Sequence, residues 1–117
     1  MNDDSLSTLT QMIEGSVAPS DRLYAFDRVR NLCRTAPRAI RRARTRLTAP
    51  PDATGDWPAT AEGSLMIDGG LILSASVTAT TMREAIDLLM TRFRHRLQRL
   101  AEDRRDQPIG SFPANAA

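Results

Sequence analysis

The sequence contains no lysine, one cysteine and one histidine, and only 4% of its 117 residues are aromatic. A single cysteine, Cys33, cannot form a disulfide within the chain, and with one histidine, His95, it excludes a zinc site built from Cys and His ligands. No run approaches the 18 or so apolar residues of a membrane span, and the N-terminus is acidic where a secretory signal would be basic. We therefore expect a cytoplasmic protein that contacts no membrane.

The scarcity of aromatic residues also limits the kind of core that the chain can build. With 41% hydrophobic and 26% charged residues, the composition is typical of a globular protein whose core is made of aliphatic side chains and alanine. The length is enough for one domain and excludes a second independent core. We predict one domain over residues 1–105 and a flexible tail over residues 106–117, because the tail shows no periodicity.

The arginines are strongly segregated along the chain, although the formal net charge is only +2. Residues 28–48 contain eight arginines and no acid, and residues 92–105 contain six arginines and two acids. If the fold brings the two blocks together, they form a positive surface that attracts phosphate by its field and by forked hydrogen bonds. The simpler alternative is a surface that only keeps the protein in solution.

Hydrophobic periodicity predicts the element order β-α-β-β-β-α, an α+β fold in which a four-stranded sheet carries two helices on one face. The predicted strands cover residues 5–13, 39–48, 61–67 and 71–79; the helices cover residues 20–34 and a long segment from Thr81 onward. Along the second strand Arg42, Arg44 and Arg46 share one parity, opposite a buried face. In the first helix, the apolar stripe predicted to point into the core is Leu23, Phe26, Val29 and Cys33. The side predicted to face solvent holds Tyr24, Arg28, Asn31 and Arg34.

The residues offer little support for catalysis. His95 lies between two arginines, off the apolar stripe of the second helix, and Cys33 lies on the apolar side of the first helix. We therefore predict that the protein is not an enzyme. Arg92, His95 and Arg99 follow each other at helical spacing with Arg96 beside them, and so form a basic stripe. With few aromatic side chains for stacking on bases, this stripe suits recognition of structured RNA by its backbone and shape.

Several segments together resemble a known family. They are SLMIDGG (64–70), SAS (74–76) and TMREAIDLL (81–89), with VAPSDRLYAFDRVRNL (17–32) and ARTRLT (43–48) upstream. Over about residues 13–105 the sequence resembles the ribosome hibernation promoting factor and ribosome-associated inhibitor family. The resemblance implies the β-α-β-β-β-α fold, binding in the mRNA channel of the small ribosomal subunit, and reversible silencing of translation in stressed or resting cells. It implies no cofactor and no small-molecule substrate.

The resemblance also suggests which residues bind RNA. Arg92, His95 and Arg99 match positions where the family's last helix meets small-subunit rRNA, and Arg96 adjoins them. On the family's second strand, three arginines are expected to extend the same surface: Arg42, Arg44 and Arg46. The family itself has fewer basic residues at these positions. Arg28 completes the predicted set of RNA-binding residues. The alternative is a divergent paralogue that binds another protein or a structured RNA and does not silence ribosomes.

Overall fold

The structure, a computed structural model, describes residues 8–49 and 58–106. Its elements are β1 (Thr8–Glu14), α1 (Pro19–Thr35), β2 (Ile40–Thr48), β3 (Ala59–Ile67), β4 (Leu71–Ala79) and α2 (Met82–Asp106). The predicted order β-α-β-β-β-α and the α+β class are confirmed. The predicted tail lies outside the described residues except for Asp106, which is the last residue of α2.

The four strands form one sheet in the order β1-β2-β3-β4. Strand β1 pairs with β2 in parallel, because α1 carries the chain back across the sheet between them, and the other two pairs are antiparallel. Both helices pack on one face of this sheet. We call the face under the helices the covered face and the other the open face.

A tight turn joins β3 to β4. Gly69 and Gly70 have φ angles of 101° and 94°, in the region that only glycine enters readily, and the Gly70 amide donates a hydrogen bond to the Ile67 carbonyl at 3.0 Å. Two arginines brace the turn: Arg41 reaches the Asp68 carboxylate at 3.1 Å, and Arg38 donates to the Asp68 carbonyl at 2.9 Å. The predicted hairpin is confirmed, and its positive φ angles fall on the two glycines.

Helix α2 supplies the centre of the core. It begins as the sequence predicts, with the Thr81 hydroxyl accepting a hydrogen bond from the Glu84 amide at 3.2 Å. Phe93 is completely buried against β3, where Gly63 leaves room for its ring. A Cβ atom at Gly63 would stand only 3.0 Å from the Phe93 ring. The close approach of α2 to the sheet therefore depends on glycine at this position.

The predicted core side of α1 is right for Val29 and Cys33, which are buried, and wrong for Leu23 and Phe26. Leu23 and Phe26 are 66% and 36% exposed, and the buried residues of this helix are Ala25, Val29, Leu32 and Cys33. The reason is that α1 packs against α2 as well as against the sheet. Its buried arc is therefore turned toward α2, which brings Tyr24 and Arg28 from the expected solvent side into partial burial.

Candidate nucleic-acid interface

The two helices lie side by side and run in the same direction. Near their N-termini Arg83 of α2 lies 3.3 Å from Asp21 of α1. Near the C-terminus of α1 a cleft of about 220 Å³ is lined by Thr35 of α1 and by Arg94 and Gln98 from the middle of α2, among others. The first half and the middle of α2 therefore lie beside α1.

The first halves are joined by a group of charged and aromatic side chains, which we call the interhelical seam: Asp21, Tyr24, Arg28, Arg83 and Asp87. The Tyr24 hydroxyl donates a short hydrogen bond of 2.5 Å to the Asp87 carboxylate, and Arg28 lies 3.4 Å from the same oxygen. The Arg83 guanidinium lies 4.1 Å from the centre of the Tyr24 ring. The hydrogen bond to Asp87, followed by burial and the negative charge of Asp87, raises the pKa of Tyr24.

The seam changes the interpretation of Arg28, which the sequence suggested as an RNA contact. Its guanidinium is shared between the Asp87 carboxylate and the Tyr24 ring, and its Nε is buried without a hydrogen-bond partner among the described residues. Arg28, a residue of α1, also lies against the flank of α2 that faces α1. The structure therefore separates it from the basic stripe predicted on α2.

That stripe lies on the opposite flank of α2, and we call it the α2 basic flank: Arg92, His95, Arg96 and Arg99, all exposed. Arg92 donates to the Ser76 carbonyl at 3.5 Å and Arg96 donates to the Ser74 carbonyl, both on the edge strand β4. Within residues 9–49 and 58–102, no carboxylate forms an ion pair with any of the four. The structure thus brings these predicted residues together as a positive surface, and the acids within the ranges just given do not neutralise it.

The strand arginines lie elsewhere. Ala43, Thr45 and Leu47 are buried under the helices, so Arg42, Arg44 and Arg46 point to the open face, as their parity predicted. This places them on the other side of the sheet from α2. The expectation that they extend the helix surface is wrong, because the strand alternation that exposes them also turns them away from the helices.

One arginine that the sequence reasoning left out is Arg94. It lines the cleft at the C-terminus of α1, together with Thr35, on the α1 side of α2. Arg34, in the last turn of α1, interacts favourably with the dipole of that helix. Only the packing of α2 beside α1 shows that Arg94 lines this cleft, and the sequence gives no signal of it.

The described residues offer no sign of a metal site, since no group of three His, Cys, Asp or Glu side chains in that part of the chain is placed to hold an ion. Cys33 is buried, as predicted, and burial raises its pKa to about 11. It is therefore a neutral thiol near pH 7, in which form it is a poor nucleophile. No helix among the described residues is long and apolar enough to cross a membrane.

Comparison with known proteins gives a result only at the level of structure. No family model matches the sequence, and no curated protein matches it. A ribosomal subunit interface protein from Coxiella burnetii superimposes with a TM-score of 0.62 and 14% identity, over 80% of this chain and 98% of that one. The N-terminal domain of Protein Y from Thermus thermophilus superimposes with a TM-score of 0.59 and 20% identity, over 77% and 94% of the two chains. The chain has the fold of these two proteins.

This finding confirms the fold that the sequence resemblance implied. The similarity covers nearly the full length of both neighbours and therefore includes the sheet and both helices. At 14% and 20% identity the likeness concerns the backbone, and the surface residues have to be judged by their own geometry. The α2 basic flank is an exposed positive surface whose arginines form no ion pair within residues 9–49 and 58–102, and such a surface suits a polyanion.

Proposed function

We propose that this protein binds the small ribosomal subunit in its mRNA channel and inhibits translation by occupancy, as a hibernation factor. The observation that carries the proposal is the α2 basic flank, an exposed group of three arginines and a histidine without carboxylate partners among the described residues. It supports the proposal because it stands on a fold shared with a ribosomal subunit interface protein. The sequence resemblance to hibernation factors points the same way.

The hydrogen bonds of the α2 basic flank favour binding of phosphate. An arginine side chain has five N–H donors, and the Ser76 and Ser74 carbonyls occupy only part of those of Arg92 and Arg96. These contacts hold the two guanidinium groups in place while other donors face solvent. A phosphate that binds there meets side chains that are already oriented, so less conformational entropy is lost on binding.

Occupancy needs no bond-making chemistry, and the contact with rRNA is electrostatic. Each rRNA phosphate that an arginine neutralises releases condensed counterions, so the affinity must fall steeply as the salt concentration rises. Blocking the path of mRNA requires only that the body of the domain fills the channel. Translation should recover when the protein dissociates.

The test is cosedimentation of the full chain with purified ribosomes, and with separated subunits, across a range of KCl concentrations. In the double variant Arg92→Gln with Arg99→Gln, helix propensity is almost unchanged while two charged contacts are lost. The matched control is Arg30→Gln with Arg34→Gln, which removes the same charge from exposed positions on α1. We expect the α2 variant to bind small subunits at least tenfold more weakly, and the control to stay within about threefold of the parent.

Two results would contradict the proposal. Equal losses in the α2 variant and in the control would mean that only the total charge matters. Binding of structured RNA without any cosedimentation with ribosomes would instead support the alternative function, a regulatory module that binds RNA. A cell-free translation assay with the same variants completes the test, because inhibition should follow small-subunit binding.

A further inference from the structure

The open face carries two arginines whose charge nothing nearby balances. Arg42 and Arg44 are exposed and form no ion pair or hydrogen bond with the other described residues. Their neighbours on the same strand differ, because Arg41 pairs with Asp68 at 3.1 Å and Arg46 pairs with Glu14 at 3.4 Å. Arg41 and Arg46 thus form ion pairs within the fold, whereas Arg42 and Arg44 remain available for a ligand.

The acids of the open face lie at one end of it. Glu14 pairs with Arg46, and Glu62 lies opposite Arg46 in the register of β2 and β3. Arg44 instead has neutral cross-strand neighbours, Thr10 and Ser64. At the end that holds Arg42 and Arg44, the acid of the adjoining turn, Asp68, is already paired with Arg41 and hydrogen-bonded to Arg38. Among the described residues this end therefore keeps an excess of positive charge, and the other end is balanced.

The surface around the two arginines is grooved and rich in hydroxyl groups. A shallow groove of about 480 Å³ is lined by Arg44, Ser64, Ser74 and Ser76 among others. A smaller recess of about 110 Å³ continues it, lined by Arg42, Arg44, Ser64, Met66 and Ile72. Guanidinium and hydroxyl groups are the usual side-chain donors to phosphate and ribose oxygens. Ile72 is 57% exposed and offers an apolar wall beside them.

We propose that the open face is a second RNA-binding surface, which takes a single strand whose phosphates bind Arg42 and Arg44. Alternate residues of a strand lie about 6.6 Å apart, which is close to the interval between successive phosphates of an extended nucleic-acid strand. Four strands at about 4.8 Å spacing give a face about 14 Å wide, which a single strand can follow and a duplex would overhang. The proposal extends the proposed function, because it lets one domain hold two RNA segments on opposite sides of its sheet.

The recess favours RNA over an acidic peptide as the occupant. A base is planar and apolar on its faces, so it can lie against Met66 and Ile72 while an arginine stacks on it or holds the adjacent phosphate. An acidic peptide would supply carboxylates for the arginines but no planar group for the recess. With no aromatic residue among those lining the groove and the recess, base selectivity should be low.

The test uses the full chain and a fluorescein-labelled 12-nucleotide oligo(U), with binding followed by fluorescence anisotropy from low to high KCl. Arg42→Gln with Arg44→Gln should weaken binding at least tenfold and flatten the slope of log K against log salt by about 1.4, the value for two phosphates of a single strand. Arg30→Gln with Arg34→Gln removes the same charge from exposed positions on α1 and should stay within about threefold of the parent. Circular dichroism of both variants checks that the fold is kept.

Three results would overturn the proposal. The first is an unchanged affinity in the Arg42 and Arg44 variant, and the second is an equal loss in the Arg30 and Arg34 variant, which would mean that only the total charge matters. The third is displacement of the oligo(U) by poly-glutamate at equal charge concentration, which would assign the face to acidic polypeptides. The outcome is separable from the proposed function: if cosedimentation with ribosomes fails while the open-face variant alone loses oligo(U), the ribosomal proposal fails and this one stands.

Discussion

The two faces of the sheet are built from the same strands but differ in composition and in burial. On the covered face, β2 places Ala43, Thr45 and Leu47 under the helices; on the open face, the residues between them are arginines. A change on the covered face must be absorbed by a close-packed interior, whereas a change on the open face meets solvent. We therefore expect stability to depend on the covered face, and the open face to be free for binding.

The largest expected effect is on the covered face, at Phe93. This ring is completely buried and is the largest side chain in the core, so Phe93→Ala should lower the free energy of unfolding by about 3–5 kcal/mol. The matched change on the open face is Ile72→Ala, at a side chain that is 57% exposed, with an expected loss below about 1 kcal/mol. Urea unfolding followed by circular dichroism measures both. Similar losses at the two positions would mean that the open face is covered in solution.

The next-largest loss of stability is expected at Gly63 of β3, which packs against Phe93 on the covered face. A Cβ atom there would lie 3.0 Å from the Phe93 ring and 3.1 Å from the Arg44 carbonyl, so Gly63→Ala should cost about 1–3 kcal/mol through overpacking. Its neighbour Ser64 lines the groove of the open face. Ser64→Ala should change stability by no more than about 0.5 kcal/mol in the same urea experiment. A harmless Gly63→Ala would show that α2 sits farther from the sheet than described.

Much of this contrast could be predicted from the sequence, because it follows from period-two alternation. The parity of residues 40–48 identified the arginine face of β2, and the Asp68-Gly69-Gly70 turn fixed where β3 ends and β4 begins. The capping pair Thr81 and Glu84 located the start of α2. In each of these cases the local sequence determines the local backbone structure, so tertiary contacts alter it little.

Parts that depend on how elements pack could not be predicted in this way. Leu23 and Phe26 of α1 were wrongly placed in the core because the direction of the buried side is set partly by contact with α2, which a helical wheel does not contain. For the same reason Arg28 was grouped with the basic residues of α2, although it lies in the interhelical seam. The two arginine blocks looked like one surface, since sequence spacing does not say which side of a sheet a helix will cover.

A smaller effect on the free energy of unfolding is expected at Cys33, in the helix layer over the covered face. Burial raises its pKa from the ordinary 9.0 to about 11, so the folded state favours the neutral thiol. This contribution to stability is present below pH 9 and is lost as the pH rises from 9 to 11, because the unfolded chain ionises first. The free energy of unfolding should therefore fall more steeply over this interval in the parent than in Cys33→Ala. Parallel pH profiles of the two proteins would show instead that the thiol is exposed to solvent.

The smallest effect should come from the interhelical seam, which is neither core nor open surface. Tyr24→Phe keeps the ring under the Arg83 guanidinium and removes only the hydrogen bond to Asp87, so the loss should be about 1 kcal/mol near neutral pH. Since this bond raises the pKa of Tyr24, its contribution is present below pH 10 and is lost as the pH rises above 10. The difference between parent and variant should therefore shrink in strong base.

A double-mutant cycle of Tyr24→Phe with Asp87→Asn separates this contact from its surroundings. The two residues touch, so their effects on the free energy of unfolding should be non-additive by about 0.5–1.5 kcal/mol. The ion pair of Asp87 with Arg28 is partly exposed and should add less than about 1 kcal/mol to the single Asp87 change. Ribosome cosedimentation by Tyr24→Phe should match the parent, because the seam lies on the side of α2 opposite the α2 basic flank. Additive effects on stability, or a loss of ribosome binding at this position, would move the functional surface from the outer flank of α2 to the boundary between the helices.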